Sequence, residues 1–148
     1  MVDTVDSNIQ GTTPTGDESP ATPAQPLPYE RVGGSEGLAR IVDRFYEIMD
    51  QDPAAAAIRA MHGDDLGPIR EKLFDFLSGW LGGPPLYFQR PDSKCLHSAH
   101  QPYAIGTDER DQWLACMHRA LMDTGVDAET RKLLEKPLFM VADSVRNR

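Results

Sequence analysis

Four histidines, His62, His97, His100 and His118, are the only side chains in this 148-residue chain that titrate near neutrality unaided. Two cysteines lie beside three of them, in Cys95-Leu96-His97-Ser98-Ala99-His100 and in Cys116-Met117-His118. Thiolate and imidazole together suit Zn²⁺. The spacing, however, matches no standard zinc finger, and His118 falls in the middle of an expected helix. The Cys-x-x-Cys-His order of a covalent haem attachment is absent. So are a G-x-S-x-G elbow and a glycine-rich phosphate loop following a strand. Taken alone, these residues favour ordinary surface and core roles.

The elements that must position them are helical. Leu38, Ile41, Val42, Phe45, Ile48 and Met49 recur at steps of three and four after Ser35-Glu36, which predicts an amphipathic helix of about four turns. Asp52-Pro53 is a helix start, a cap followed by a first-turn proline. The short helix it opens reaches Met61 and is broken by His62-Gly63-Asp64-Asp65. A third helix is predicted over 66–81, with the stripe Leu66, Ile69, Leu73, Phe76, Leu77 and Trp80. Gly82-Gly83-Pro84-Pro85 ends it. A loop holds Tyr87 and Phe88, and residues 95–101 have room for one or two turns. Thr107-Asp108-Glu109 begins a fourth long helix through Trp113, Leu114, Met117 and Leu121, with acids at the positive end of its dipole. Asp127 caps a last helix through Leu133, Leu134, Leu138, Val141 and Val145, in which Pro137 should produce a kink or a new segment.

Composition narrows the function. The formal charge of −8 argues against a nucleic-acid groove or an anionic membrane surface as the main partner. No apolar run approaches the length of roughly 18–20 residues that a membrane span needs. The N-terminus shows no secretory signal, and two cysteines are too few for a disulfide scaffold. A reducing, cytoplasmic setting is the expectation. Residues 1–28 hold five of the twelve prolines and four acids, with no Lys, Arg or aromatic residue. They are expected to form a disordered acidic tail. The working domain is then 29–148, an all-α unit with four substantial helices.

The run His100-Gln101-Pro102-Tyr103-Ala104-Ile105-Gly106, followed by Glu109-Arg110-Asp111-Gln112-Trp113-Leu114 and then Cys116-Met117, closely resembles the truncated haemoglobins. Within them it is similar to the second group, whose hallmark is a tryptophan on the fourth long helix facing the haem. Val32-Gly33-Gly34, Arg44-Phe45-Tyr46 and Trp80-Leu81-Gly82-Gly83-Pro84 agree, so the resemblance covers about residues 29–145.

The resemblance implies a two-over-two helical sandwich around one noncovalent haem b. His100 matches the proximal iron ligand, for which a neutral imidazole nitrogen is expected. Tyr46 matches the distal tyrosine and Trp113 the distal tryptophan. The Trp113 indole N–H can only donate, which favours a ligand carrying negative charge on oxygen. His62 stands where relatives usually carry Tyr or Phe. It can donate, with a protonation state that depends on pH, or be solvated in its loop. Ile69 takes the distal position where many globins carry His or Gln, and it cannot hydrogen-bond a ligand. Leu73, Phe76 and Trp80 continue that stripe toward the haem, a role that overlaps with core packing. Lys72 matches the basic residue that pairs a haem propionate, although an exposed lysine is equally ordinary. Phe45, Tyr103, Ile105 and Met117 are implied apolar neighbours of the haem.

The implied function is binding of O2, CO, NO or similar ligands at a penta- or hexacoordinate iron, with distal donors slowing release. The alternative is a redox enzyme that oxidises nitric oxide to nitrate or reduces peroxide. No flavin or nicotinamide signature is present, so a partner reductase would have to supply electrons. A third reading, a cofactor-free helical interaction module, is separated from both by the absence of a Soret band.

Overall fold

The computed structural model describes residues 25–148. Most of the expected N-terminal tail therefore lies outside the described residues, and Pro28 already opens a helix. The described chain forms helices and no strand. They are α1 (Pro28–Arg31), α2 (Gly34–Gln51), α3 (Ala56–Ala60), α4 (Gly67–Trp80), α5 (Leu96–His100), α6 (Thr107–Asp123) and α7 (Ala128–Ser144). Short 3₁₀ turns at Pro53–Ala55 and Tyr87–Gln89 complete the order.

α2 is the centre of the molecule. Its expected stripe, with Tyr46 added, is buried throughout, because residues three and four apart share one face of a helix. α4 and α6 both pack on α2, and α7 packs on α6. The pairs α2–α4 and α6–α7 thus form two layers that meet where α2 lies on α6, the two-over-two arrangement.

α1 was not foreseen. It docks on the end of α4 through a hydrogen bond from the Tyr29 amide to the Leu81 carbonyl (2.9 Å). Two positive φ angles, 102° at Gly33 and 65° at Gly34, turn the chain from α1 into α2. The helix therefore begins before the expected Ser35. At Gly37 a β-carbon would run into the Val32 carbonyl, so only glycine permits this approach.

Capping explains the other boundaries. The Asp52 carboxylate accepts from the Ala54 amide (2.9 Å), and that of Asp127 accepts from the Thr130 amide (2.8 Å). α6 begins at Thr107, as expected. Thr107 is already helical, and the Glu109 carboxylate reaches back to accept from the Gly106 amide (2.9 Å). α7 runs unbroken through Pro137, so no new segment begins there. Pro137 lies on the exposed face, where water can serve the carbonyl its missing N–H leaves unbonded. No helix among the described residues is long and apolar enough to cross a membrane.

Candidate functional site

α4 carries the stripe Ile69, Leu73, Phe76 and Trp80, yet the only buried residues of this helix are Leu77 and Ser78. The stripe packs against the core and stays partly exposed. The reason lies in the helix packing. α4 leans on α2 and on the 87–89 turn, but it does not pack closely on α5, α6 or α7. Apolar surface is therefore left partly exposed on this side of α4, with Trp113 of α6 also only partly buried. Burying such a surface against a flat apolar ligand is favourable at roughly 25 cal/mol per Å². A cleft of about 430 Å³ between α2 and α4, lined by Val42, Asp43, Arg70 and Phe74, includes none of the candidate ligand-binding residues.

His100 ends α5 and is half-buried. Its Nδ1 lies 2.7 Å from the Leu96 carbonyl oxygen. A carbonyl can only accept, so Nδ1 carries the proton and donates, and in the neutral ring it is Nε2 that holds the lone pair. An imidazole fixed in this tautomer is prepared to ligate a metal through Nε2. This donor set fits a haem iron. Cys95, His97 and His100 do not converge into a metal-holding group, and no three His, Cys, Asp or Glu side chains do so among the described residues. Cys95 is exposed, Cys116 is buried, and both are free thiols. Cys95 instead caps α5, its Sγ accepting from the Ser98 amide (3.4 Å).

An aromatic cluster stands at the α2–α6 contact. Phe45, fully buried, meets the Tyr46 ring edge-on at 4.9 Å and the Trp113 ring at 5.4 Å. The Tyr46 ring lies 5.9 Å from that of His62. Burial pushes the Tyr46 phenol far above its ordinary range, so it remains a protonated donor. Neither the Tyr46 hydroxyl nor the Trp113 indole N–H has an acceptor among the described residues. Neither atom is sealed from solvent, since the one orphaned buried side-chain atom among those residues is Arg131 Nε. Both donors are therefore uncommitted among the described residues.

His62 follows α3. Its Nδ1 donates to the Ile58 carbonyl (2.7 Å), which again leaves Nε2 as the acceptor nitrogen. Burial lowers the His62 pKa, the bond to Ile58 opposes this, and the Arg59 and His100 charges lower it further. The imidazole is therefore neutral at pH 7. Arg59 holds the corner that carries His62, donating to the Gly63 carbonyl (3.1 Å) and to Asp50 (2.8 Å). Sequence reasoning missed Arg59, although a basic residue in a last helical turn is a recognisable signal.

The remaining expected residues are distributed more widely. Met117 and Ile105 are buried. Tyr103 is largely exposed, in the segment that follows α5. Lys72 is half-exposed and lies 3.6 Å from an Asp92 oxygen, so its cation is already near one carboxylate.

The profile of the bacterial-like globin family matches residues 28–147. The chain is 34% identical over 120 residues to the group 2 truncated haemoglobin YjbI of Bacillus subtilis, covering 81% of this chain and 88% of that protein. Among solved structures it is similar to the cold-adapted truncated haemoglobin of Pseudoalteromonas haloplanktis, with TM-score 0.78, 37% identity and coverage of 83% and 99% of the two chains. It is equally similar to the group II 2-on-2 haemoglobin of Agrobacterium tumefaciens, with TM-score 0.78, 37% identity and coverage of 83% and 95%. The chain therefore belongs to the bacterial-like globin family, within the second group of truncated haemoglobins, and is a haem-binding globin.

Proposed function

We propose that the chain holds haem b noncovalently against the apolar face of α4, with His100 as the protein ligand to its iron, and binds O2, CO or NO reversibly. The observation that carries this reading is the His100 Nδ1–Leu96 bond, which leaves Nε2 free to coordinate. When bound, the haem would supply an iron that can take up a diatomic ligand. The rest is done by side chains. Leu73, Phe76, Trp80 and Ile69 offer apolar surface that excludes water, and Ile69 contributes no hydrogen bond. Tyr46 and Trp113 each bring one N–H or O–H toward a ligand that carries negative charge on oxygen. His62, with Nδ1 committed to Ile58, accepts at neutral pH and becomes a donor through Nε2 only when protonated. Lys72 pairs a propionate in exchange for its contact with Asp92.

Slow release is the expected consequence of two donors on one ligand. A solved structure of a Bacillus subtilis truncated haemoglobin, 34% identical to this chain, is described as oxygen-avid, and the same direction is expected here. Absorption spectra of the ferric, ferrous and CO-bound protein test the reading, together with His100→Leu. The unaltered chain should show a Soret band whose position and CO response are lost or displaced in the variant. A variant with unaltered spectra would sink the axial assignment of His100.

A further inference from the structure

The helix that carries His100 is poorly supported by packing. α5 has five residues, none of them buried, and it is not closely packed on any other helix. An axial ligand mounted on such an element has to be positioned by the ends of its segment. One end is the Cys95 cap. The other is Asn147, just beyond α7. Its Nδ2 donates to the Tyr103 carbonyl (2.7 Å) and, more weakly, to the His100 carbonyl (3.5 Å). Its Oδ1 accepts from the Ile105 amide (2.9 Å). The backbone completes the junction, the Asn147 and Arg148 amides both donating to the Ile105 carbonyl (2.8 and 3.1 Å).

We infer that Asn147 is a positioning residue for the proximal histidine, joining the α5–α6 connector to the end of α7. Both ends of its amide are used, and the three groups it meets lie 42 to 47 residues away in sequence. Ile105, the residue it grips through both side chain and backbone, is the buried anchor of the connector. α7 is in turn fastened to α6 through Arg110 and Asp143 (2.8 Å). The connector is thereby referred to the α6–α7 layer, and the position of His100 inherits that rigidity. Only an amide can do this. Aspartate keeps the acceptor for the Ile105 amide but loses both donors, and alanine loses everything except the backbone bonds.

The inference rests on His100 as the axial ligand, and the test separates the two claims. Resonance Raman of the ferrous protein reads the iron–histidine stretch, and transfer to an excess of a haem acceptor reads haem release. Amide hydrogen exchange at Ile105 in the haem-free chain reads the brace without the cofactor. Asn147→Ala should shift or broaden the stretch, speed haem release about tenfold and deprotect the Ile105 amide. Asn147→Asp should fall between the alanine variant and the unaltered chain. An unchanged stretch and release rate in both variants, with the stretch present in the unaltered protein, would overturn the role of Asn147 alone. Absence of the stretch from the unaltered protein would overturn the assignment of His100 and this inference with it. Should Asn147→Ala not fold, Asn147→Asp and the exchange rate of Ile105 in the unaltered chain decide the matter, rapid exchange there counting against the brace.

Discussion

In the proposed distal site, Tyr46 and Trp113 would do related work by different means. The Tyr46 hydroxyl rotates about its C–O bond, whereas the Trp113 N–H direction is set by a ring wedged against Phe45. A hydrogen bond to a charge-bearing ligand oxygen is worth about 1.5–3 kcal/mol, or roughly ten- to a hundredfold in release rate. Trp113→Phe and Tyr46→Phe should each accelerate O2 release by that order in stopped-flow displacement, and a rate equal to that of the unaltered chain would remove the residue from the distal site. His62 has a different consequence. Burial holds it neutral in the folded state, with its pKa below the ordinary 6.5. The unfolded chain takes up a proton as pH falls through about 6.5, while the folded chain does so only at lower pH. Stability from this group is therefore full above about 6.5 and is lost as pH falls toward the folded pKa. Denaturant titrations at pH 5 and 7.5 should show a smaller acid-dependent loss in His62→Phe than in the unaltered chain.

Among the elements, α2 and α7 depend on single positions. Gly37 lets α2 pass against the Val32 carbonyl, so Gly37→Ala forces the α1–α2 turn apart. A loss of about 1–3 kcal/mol, the usual range for overpacking, is expected in chemical denaturation. At α7, Asp127 accepts from both the amide and the hydroxyl of Thr130 (2.8 and 3.0 Å), and these bonds hold its carboxyl below the ordinary carboxylate range. Asp127→Ala should lower stability at neutral pH, read as an earlier denaturation midpoint. In the unaltered protein this contribution is complete above the ordinary carboxylate pKa of about 4 and fades as pH drops through the lower folded value. The variant should show no such fading, and an equal acid response in both chains would remove the cap from the account.

At the scale of the molecule, the open side of α4 has a thermodynamic meaning. A domain that leaves Leu73, Phe76, Trp80 and Trp113 partly exposed has unspent apolar surface, and a ligand that covers it in the folded state alone stabilises that state. At a free concentration a thousand times Kd the gain is about 4 kcal/mol. Removal of the haem should therefore lower the thermal midpoint by many degrees and broaden the response of the tryptophan environment. Equal midpoints with and without haem would mean that this surface is not where the haem binds. Ion pairs contribute less to this balance. Most are partly exposed, as between Arg44 and Asp123, and water and salt screen such pairs so that each contributes little.

Periodicity alone identified every long helix, because a buried stripe repeats within a few turns and each turn lies in one stretch of sequence. The proximal and distal roles proposed for His100, His62, Tyr46 and Trp113 came from resemblance, through motifs arranged in the right order. The folded structure decided side-chain directions as well as what depends on distant partners. The tautomer of His100 follows from a carbonyl one turn away whose direction no pattern reveals, and the commitment of His62 Nδ1 to Ile58 has the same origin. α1 escaped notice because four residues carry no period and owe their place to the end of α4. The grip of Asn147 on Ile105 joins residues far apart in the chain, and hydrogen bonds across such distances exist only once packing has brought the helices together.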